Sequence, residues 1–284
     1  MTSPTTRAAF DVGHIHCVAM NDGTLQYPPA WFFSNVSAEQ IESGLRAHHL
    51  PTSHVESPYT CLLVRTGEHE ILIDTGAGGL APTTGQLTSQ LASEGLRPEQ
   101  ITHVLLTHGH PDHIGGVLNA EGKRAFPNAQ YLMSKKEWDF WTNSPSLNGT
   151  SLDAFMRQLL TSSAEKNLPP LTEHIELLEG ENEIVPGISV VPAPGHTPGH
   201  LAVTIASGQT QFLHMSDAVL HPLHLENPSW RPIFDLDAEV AAKSRQRLLD
   251  RAANDRIKVL AYHFAFPGMG RIESRGTAWK WLAD

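Results

Sequence analysis

The stretch "THGHPDHIGG", residues 107–116, puts His108, His110, Asp112 and His113 within six positions and brackets them with glycine and proline. A hydrophobic core has no use for four polar side chains at that density, because each would need a partner once water is removed. The fold must therefore present them at an edge, where they meet one another or a ligand. In an extended turn His108 and His110 alternate onto one side, Pro111 stiffens the chain, and Asp112 and His113 begin a helix. Gly115 and Gly116 let that helix pack closely. Imidazole and carboxylate in this pattern suit a divalent, zinc-like cation.

The rest of the chain supplies the edge. Apolar runs rich in Val, Ile and Leu lie at 59–65, 70–74, 102–107, 129–133, 188–192, 201–206, 211–215 and 257–262, and they read as strands of buried sheets. Helices fall between them: Ser37 with Gln40 and Ser134 with Glu137 are capping-box pairs, and 237–253 carries Leu, Val and Ala at helical spacing. The fold class is α/β (α+β), with helices outside sheets. Four strands run straight into a histidine or aspartate, in "HVLLTHGHPDH", "VVPAPGHTPGH", "FLHMSDAV" and "VLAYHFAF". Strand ends and the loops after them are where a rigid scaffold exposes polar groups without burying them unpaired. No repeat or linker divides the chain, so residues 1–284 are expected to form one domain. The segment 143–152 reads as a loop. The segment 21–58 precedes the first clear strand and is read as a lid or a homodimer contact.

Composition removes several functions. The formal charge is −10 and the chain carries no long run of lysine or arginine, which argues against nucleic acid as a partner. The two cysteines, Cys17 and Cys61, are too few for a disulfide framework and lack the spacing of a thiolate metal site. The N-terminal stretch "MTSPTTRAAFDVG" has no apolar core of a signal sequence and no stretch suits a bilayer, so a cytoplasmic protein without a membrane partner is expected. The absence of GxSxG and GxxxxGK[ST] patterns argues against a serine hydrolase or a P-loop NTPase.

"THGHPDHIGG" resembles the HxHxDH motif of the metallo-β-lactamase superfamily, and later stretches resemble that family's remaining ligand positions in order, from about residue 14 to 275. The resemblance implies a four-layer αββα sandwich with two divalent metal ions at one edge of the sheets, zinc first, with manganese, cobalt or iron as substitutes. It assigns His108, His110 and His196 to one metal, Asp112, His113 and His263 to the other, and Asp217 to both, with Asp112 and Asp217 as the carboxylates of the catalytic set. Asp74, in "EILIDTG", resembles the aspartate that orients a ligand histidine through its far nitrogen. His196 is preferred over His200 as the ligand in "PAPGHTPGH", and His200 is expected to support the turn through a backbone hydrogen bond. The pattern "GAGGLA" at 76–81 fits a dinucleotide fingerprint only weakly, since Pro82 would fall in the first turn of the required helix.

Two cations sharing a water lower its pKa, hold the resulting hydroxide against an electrophile and polarise the attacked oxygen. The expected activity is thus hydrolysis of a lactone, ester or phosphotriester of a small, largely apolar substrate. The stretches "SDAVLHPLHLENPSWRPIFDLD" and "HFAFPGMGRI" look most like the branch containing methyl parathion hydrolase and related lactonases. One departure stands out: homoserine lactonases of the family typically carry a tyrosine three residues after the bridging aspartate, and Leu220 stands there. Phe33, Trp138, Trp141, Leu220, His221, Phe264 and Phe266 are the expected pocket residues. Two other classes are weighed against this one, an iron-dependent redox enzyme of the same fold and an inactive ligand-binding relative. The first is disfavoured because His110 stands where diiron flavoproteins carry Glu, the second because all seven donors are present.

Overall fold

The computed structural model describes residues 6–284; the first five residues of the N-terminal stretch read above lie outside the described residues. Two seven-stranded sheets make up the frame. The first holds β1 (Arg7–Val12), β2 (Ile15–Tyr27), β3 (Val55–Thr66), β4 (His69–Ile73), β5 (His103–Leu106), β6 (Gln130–Ser134) and β7 (Ile175–Leu178) in chain order. Its first four strands pair antiparallel and β4 to β7 run parallel. The second holds β8 (Asn182–Val185), β9 (Ile188–Pro192), β10 (Leu201–Ser207), β11 (Thr210–Ser216), β12 (Lys258–Ala261), β13 (Met269–Arg275) and β14 (Ala278–Ala283), again in chain order. Only the β11–β12 pair is parallel.

The helices are α1 (Pro29–Phe32), α2 (Ala38–Ala47), α3 (Leu87–Ser93), α4 (Pro111–Ile114), α5 (Lys135–Thr142), α6 (Ala154–Asn167), α7 (Leu223–Glu226) and α8 (Ala238–Asn254). Successive side chains of a strand point to opposite faces, and this alternation sorts the apolar runs into layers. Leu62, Val64, Ile71, Ile73, Leu105 and Leu132 of the first sheet meet Ile188, Val190, Val203, Ile205 and Leu260 of the second. The intervening residues Cys61, Leu63, Leu72, Val104, Leu106 and Met133 face the helical layer containing Leu91, Ile114 and Leu160. On the far side, Leu213, Met215, Val259 and Ala261 pack on Leu248 and Leu249 of α8. The result is the expected four-layer αββα sandwich.

All eight strands read from the sequence form. Six more form, β1, β2, β7, β8, β13 and β14: β2 holds the short buried run Cys17–Met20, which went unread, and β7 and β8, at sheet edges, each bury only their last residue. Two strands therefore precede the point where the first was expected, and the segment 21–58 begins inside β2, passes through α1 and α2, and re-enters β3. Phe32, Phe33, Ile41 and Leu45 of this segment pack against Leu220 and Leu223. The Ser37 capping box forms, Gln40 N donating to Ser37 Oγ and Ser37 N to Gln40 Oε1, both at 3.3 Å. The Ser134–Glu137 box does not: Ser134 makes no cap bond, because Glu137 turns inward to a use described below. The "GAGGLA" stretch contains only a single 3₁₀ turn, Gly78–Leu80, and no helix of a dinucleotide site. Among the described residues no helix is long and apolar enough to cross a membrane.

Backbone contact explains the glycines of the motif loops. A Cβ on Gly116 would lie 2.2 Å from the Thr75 oxygen. Gly195 has φ +123° and a Cβ there would meet the Ala241 nitrogen at 2.0 Å. Both loops are pressed onto neighbouring chain with no room for a methyl group.

Candidate metal centre

The ends of β5, β9, β11 and β12 lie at one edge of the sandwich and bring the loops they feed together. His108, His110, His196 and Asp217 offer ligand atoms within 4.8 Å of one another, and Asp112, His113 and His263 form a second such group. Asp217 stands between them. Its Oδ2 lies 3.0 Å from His263 Nε2, 3.3 Å from His196 Nε2 and 3.8 Å from His108 Nε2, and its Oδ1 lies 3.3 Å from His113 Nε2. Asp112 Oδ2 approaches His263 Nε2 to 3.5 Å and His113 Nε2 to 3.8 Å.

The far nitrogens of His113, His196 and His263 are occupied, which fixes the direction in which their near ones point. His113 Nδ1 donates to Asp74 Oδ2 at 2.8 Å, and Asp74 itself accepts from Thr107 N and Oγ1. His196 Nδ1 donates to Asp235 Oδ1 at 3.0 Å, and Asp235 is held by Arg245 Nη2 at 2.9 Å. His263 Nδ1 faces Ser57 Oγ at 2.8 Å and the Pro58 oxygen at 3.2 Å. Three of the inward atoms are orphans: among the described residues His108 Nε2, His113 Nε2 and Asp217 Oδ1 are buried without a hydrogen-bond partner, while His196 Nε2 meets His110 Nδ1 and His263 Nε2 meets Asp217 Oδ2, both at 3.0 Å. Buried polar atoms are ordinarily paired, so lone pairs converging on a common space are what divalent cations would satisfy. The donor set, imidazole and carboxylate without thiolate, fits zinc and equally manganese, cobalt or iron.

Electrostatics follow the same layout. Burial, reinforced by neighbouring histidines, holds His108 and His110 well below the usual histidine range. Burial opposes ionisation of Asp217, yet the His263 and His113 rings outweigh it and keep the carboxyl well below its usual range. Burial likewise opposes the charged form of His196, but bonds to Asp217 and Asp235 raise it to about 9.

His200 points away from this cluster. Its Nδ1 donates to the Ala193 oxygen at 3.1 Å and its Nε2 accepts from Asp217 N at 3.1 Å, so it braces the turn and the aspartate's backbone. Glu137 braces the other side. Fully buried, its Oε1 accepts from Gly109 N at 2.9 Å and Trp141 Nε1 at 2.6 Å, and its Oε2 accepts from Gly199 N at 2.8 Å. One carboxylate thereby ties the loop of His108 and His110 to the loop of His196. Burial raises its pKa although these donors oppose the shift. Glu137, Asp235 and Ser57 are the residues that sequence reasoning missed. Glu137 was visible only as half of a capping box, and the other two carry no local pattern.

A narrow cavity opens onto the cluster, lined on its apolar side by Phe32, Leu80, Met156, Leu159, Leu220 and Phe234. Leu220 is the only expected pocket residue on this wall. Trp141 lies beneath, edge-on to His110 at 5.8 Å and committed to Glu137, and Trp138 packs against the core of the first sheet's helical face. Phe33 is buried among His221, His224 and Trp230. His221, Phe264 and Phe266 line a second cavity on the other side of His263. These six depart from the expectation because proximity in sequence to a ligand does not fix which side of it a neighbour faces.

The buried histidines around the site predict acid sensitivity. Burial lowers His214 to about 4 and His221 and His224 to about 3, against about 6.5 in the unfolded chain. The unfolded state therefore binds more protons in this window. Stability is full above pH 6.5 and falls as the pH drops toward 4, by about 1.4 kcal/mol per pH unit for each ring. Melting curves of the metal-free protein at pH 7.5 and 5.5 check this, and an unchanged melting temperature would contradict it.

A family model places the chain's class. The metallo-β-lactamase superfamily model matches residues 54–263, and the chain belongs to that superfamily. It is an enzyme, a metal-dependent hydrolase. Among its relatives, an N-acyl homoserine lactonase of Bacillus sp is 27% identical over 227 residues, 72% of this chain and 81% of that protein. A probable metallo-hydrolase of Mycobacterium bovis is 30% identical over 257 residues, 77% of each chain. The solved structure of AidC, a dizinc quorum-quenching lactonase in complex with a product, superposes with a TM-score of 0.92 at 26% identity, covering 98% of this chain and 97% of that one.

Proposed function

We propose that this protein opens the lactone ring of N-acyl homoserine lactones, using two divalent ions, zinc first. The observation that carries the reading is the set of buried, unpartnered imidazole and carboxylate atoms at the base of an apolar cavity. His108, His110 and His196 would hold one ion and Asp112, His113 and His263 the other, with Asp217 facing both. Bound there, divalent ions make water a nucleophile near neutral pH and draw electrons from the attacked carbonyl. The chain does the positioning. Asp74, Asp235 and Ser57 keep the reactive nitrogens of His113, His196 and His263 turned inward, and Glu137 fixes the two loops against one another. Phe32, Leu80, Met156, Leu159, Leu220 and Phe234 exclude water from the rest of the cavity and offer a surface for an acyl chain. Such a lactone is uncharged, so the chain's formal charge of −10 does not repel it. The homoserine lactonases among the relatives support the same substrate class.

Elemental analysis of the purified protein, followed by a panel of N-acyl homoserine lactones, 4-nitrophenyl esters and methyl parathion, tests the reading. The expected result is close to two metals per chain and greatest kcat/KM on the lactones. Turnover confined to the phosphotriester, or iron accompanied by oxygen uptake, would overturn it.

A further inference from the structure

The lactone's ring oxygen leaves as an alkoxide and needs a proton as the C–O bond breaks. Leu220 has none to give. Besides the members of the metal cluster, only two side chains on the cavity wall carry an O–H, Ser57 and Tyr27. Ser57 is engaged with His263 Nδ1 at 2.8 Å. Tyr27 enters from the end of β2, with its ring packed against Trp31, Phe32 and Phe234 at centroid distances of 5.9, 6.0 and 6.1 Å.

Its phenol is hydrogen-bonded to that of Tyr59. Tyr59 is fully buried, and this bond is its hydroxyl's sole contact of the kind among the described residues. Two phenols carry two protons and share one bond, so one proton is left over. If Tyr27 were the donor, the spare proton would sit on the buried Tyr59 without an acceptor, an arrangement that buried donors ordinarily avoid. The favoured arrangement has Tyr59 donating to Tyr27, and the Tyr27 proton then turns toward the cavity.

We propose that Tyr27 hydrogen-bonds the leaving oxygen and delivers its proton, while Tyr59 holds the Tyr27 phenol in place; this rests on the lactonase reading above. In the balanced step the acyl C–O bond breaks and its electron pair goes to the ring oxygen. The Tyr27 proton joins that oxygen to give the free hydroxyl. Water's oxygen is added at the acyl carbon, and a proton released from that water restores the phenol.

The test compares wild type, Tyr27→Phe and Tyr59→Phe on an N-acyl homoserine lactone and on a 4-nitrophenyl ester, whose phenolate leaves without needing a proton. For Tyr27→Phe the expected loss in kcat is about 10²-fold on the lactone with KM little changed, and less than about threefold on the ester. Metal content and melting temperature should match wild type. Tyr59→Phe should lose less on the lactone than Tyr27→Phe. Equal losses on both substrates, no loss on the lactone, or a greater loss for Tyr59→Phe would overturn the proposal. If Tyr27→Phe loses metal, wild-type kcat across esters of increasing leaving-group basicity decides, with a flat dependence supporting the assignment and a steep fall overturning it. Failure of the wild type to open the lactone removes the functional reading and the proposal with it. Lactone turnover that survives Tyr27→Phe removes the proposal alone.

Discussion

Asp217→Ala is expected to leave the purified protein with less than one metal per chain and to lower kcat/KM on its best substrate by about 10³-fold or more, beyond the 10- to 100-fold typical of losing an outer partner. The reason is geometric. Among the described residues, the Asp217 carboxylate is the one acidic group within 4 Å of His108, His113, His196 and His263 together. Without it, Asp112 still faces His113 and His263, but no carboxylate lies between the two groups of donors, and two cations would repel one another across the same space. The Asp217 backbone stays anchored, because its N–H donates to His200, so the fold should survive the substitution. Elemental analysis with steady-state kinetics checks the outcome. A variant retaining two metals and most of its turnover would show that the donors converge for some other purpose.

The second large effect is expected at a residue that touches no ligand. Glu137→Ala should lower stability by about 3 kcal/mol or more, since Gly109 N, Gly199 N and Trp141 Nε1 each lose a buried acceptor worth about 1–3 kcal/mol. For a chain of this size that corresponds to a fall in melting temperature of roughly 6 °C or more. Metal affinity should fall about 10- to 100-fold as well, because the loops carrying His108, His110 and His196 lose their common tie. Glu137→Gln separates shape from charge: its amide still accepts from one loop but presents N–H to the donor of the other, so an intermediate loss is expected. Thermal melts and competition with a chelator give both quantities. Wild-type stability in Glu137→Ala would mean that the two loops are held by packing alone.

These two residues differ in how visible they are in the sequence. Asp217 follows a strand, as do the histidines of 108–113, His196 and His263, and a run of apolar residues ending in a donor is a local pattern that needs no neighbours to be recognised. Glu137 sits three residues after Ser134 and fits a helix start equally well. The backbone alone permits either use. Only the packing of α5 against the 107–110 and 195–200 loops brings the two backbone donors Gly109 N and Gly199 N to its carboxylate, beside Trp141 Nε1 of the same helix, and turns it inward. The pocket residues show the same limit. Phe264 and Phe266 flank a ligand histidine in sequence but line the cavity behind it, whereas Tyr27, Phe32 and Met156 come from distant segments and were brought there by the sandwich.

The sequence by itself determined the layered α/β architecture, the edge at which the donors gather, and the hydrolytic, metal-dependent class of chemistry. Strand alternation and strand-end donors are short-range regularities, and short-range regularities survive in a linear string. Tertiary structure alone decided which atoms face inward, which carboxylates orient them, and which walls enclose the substrate, because each of those depends on a meeting between segments as far apart as Tyr27 and Phe234 or Ser57 and His263.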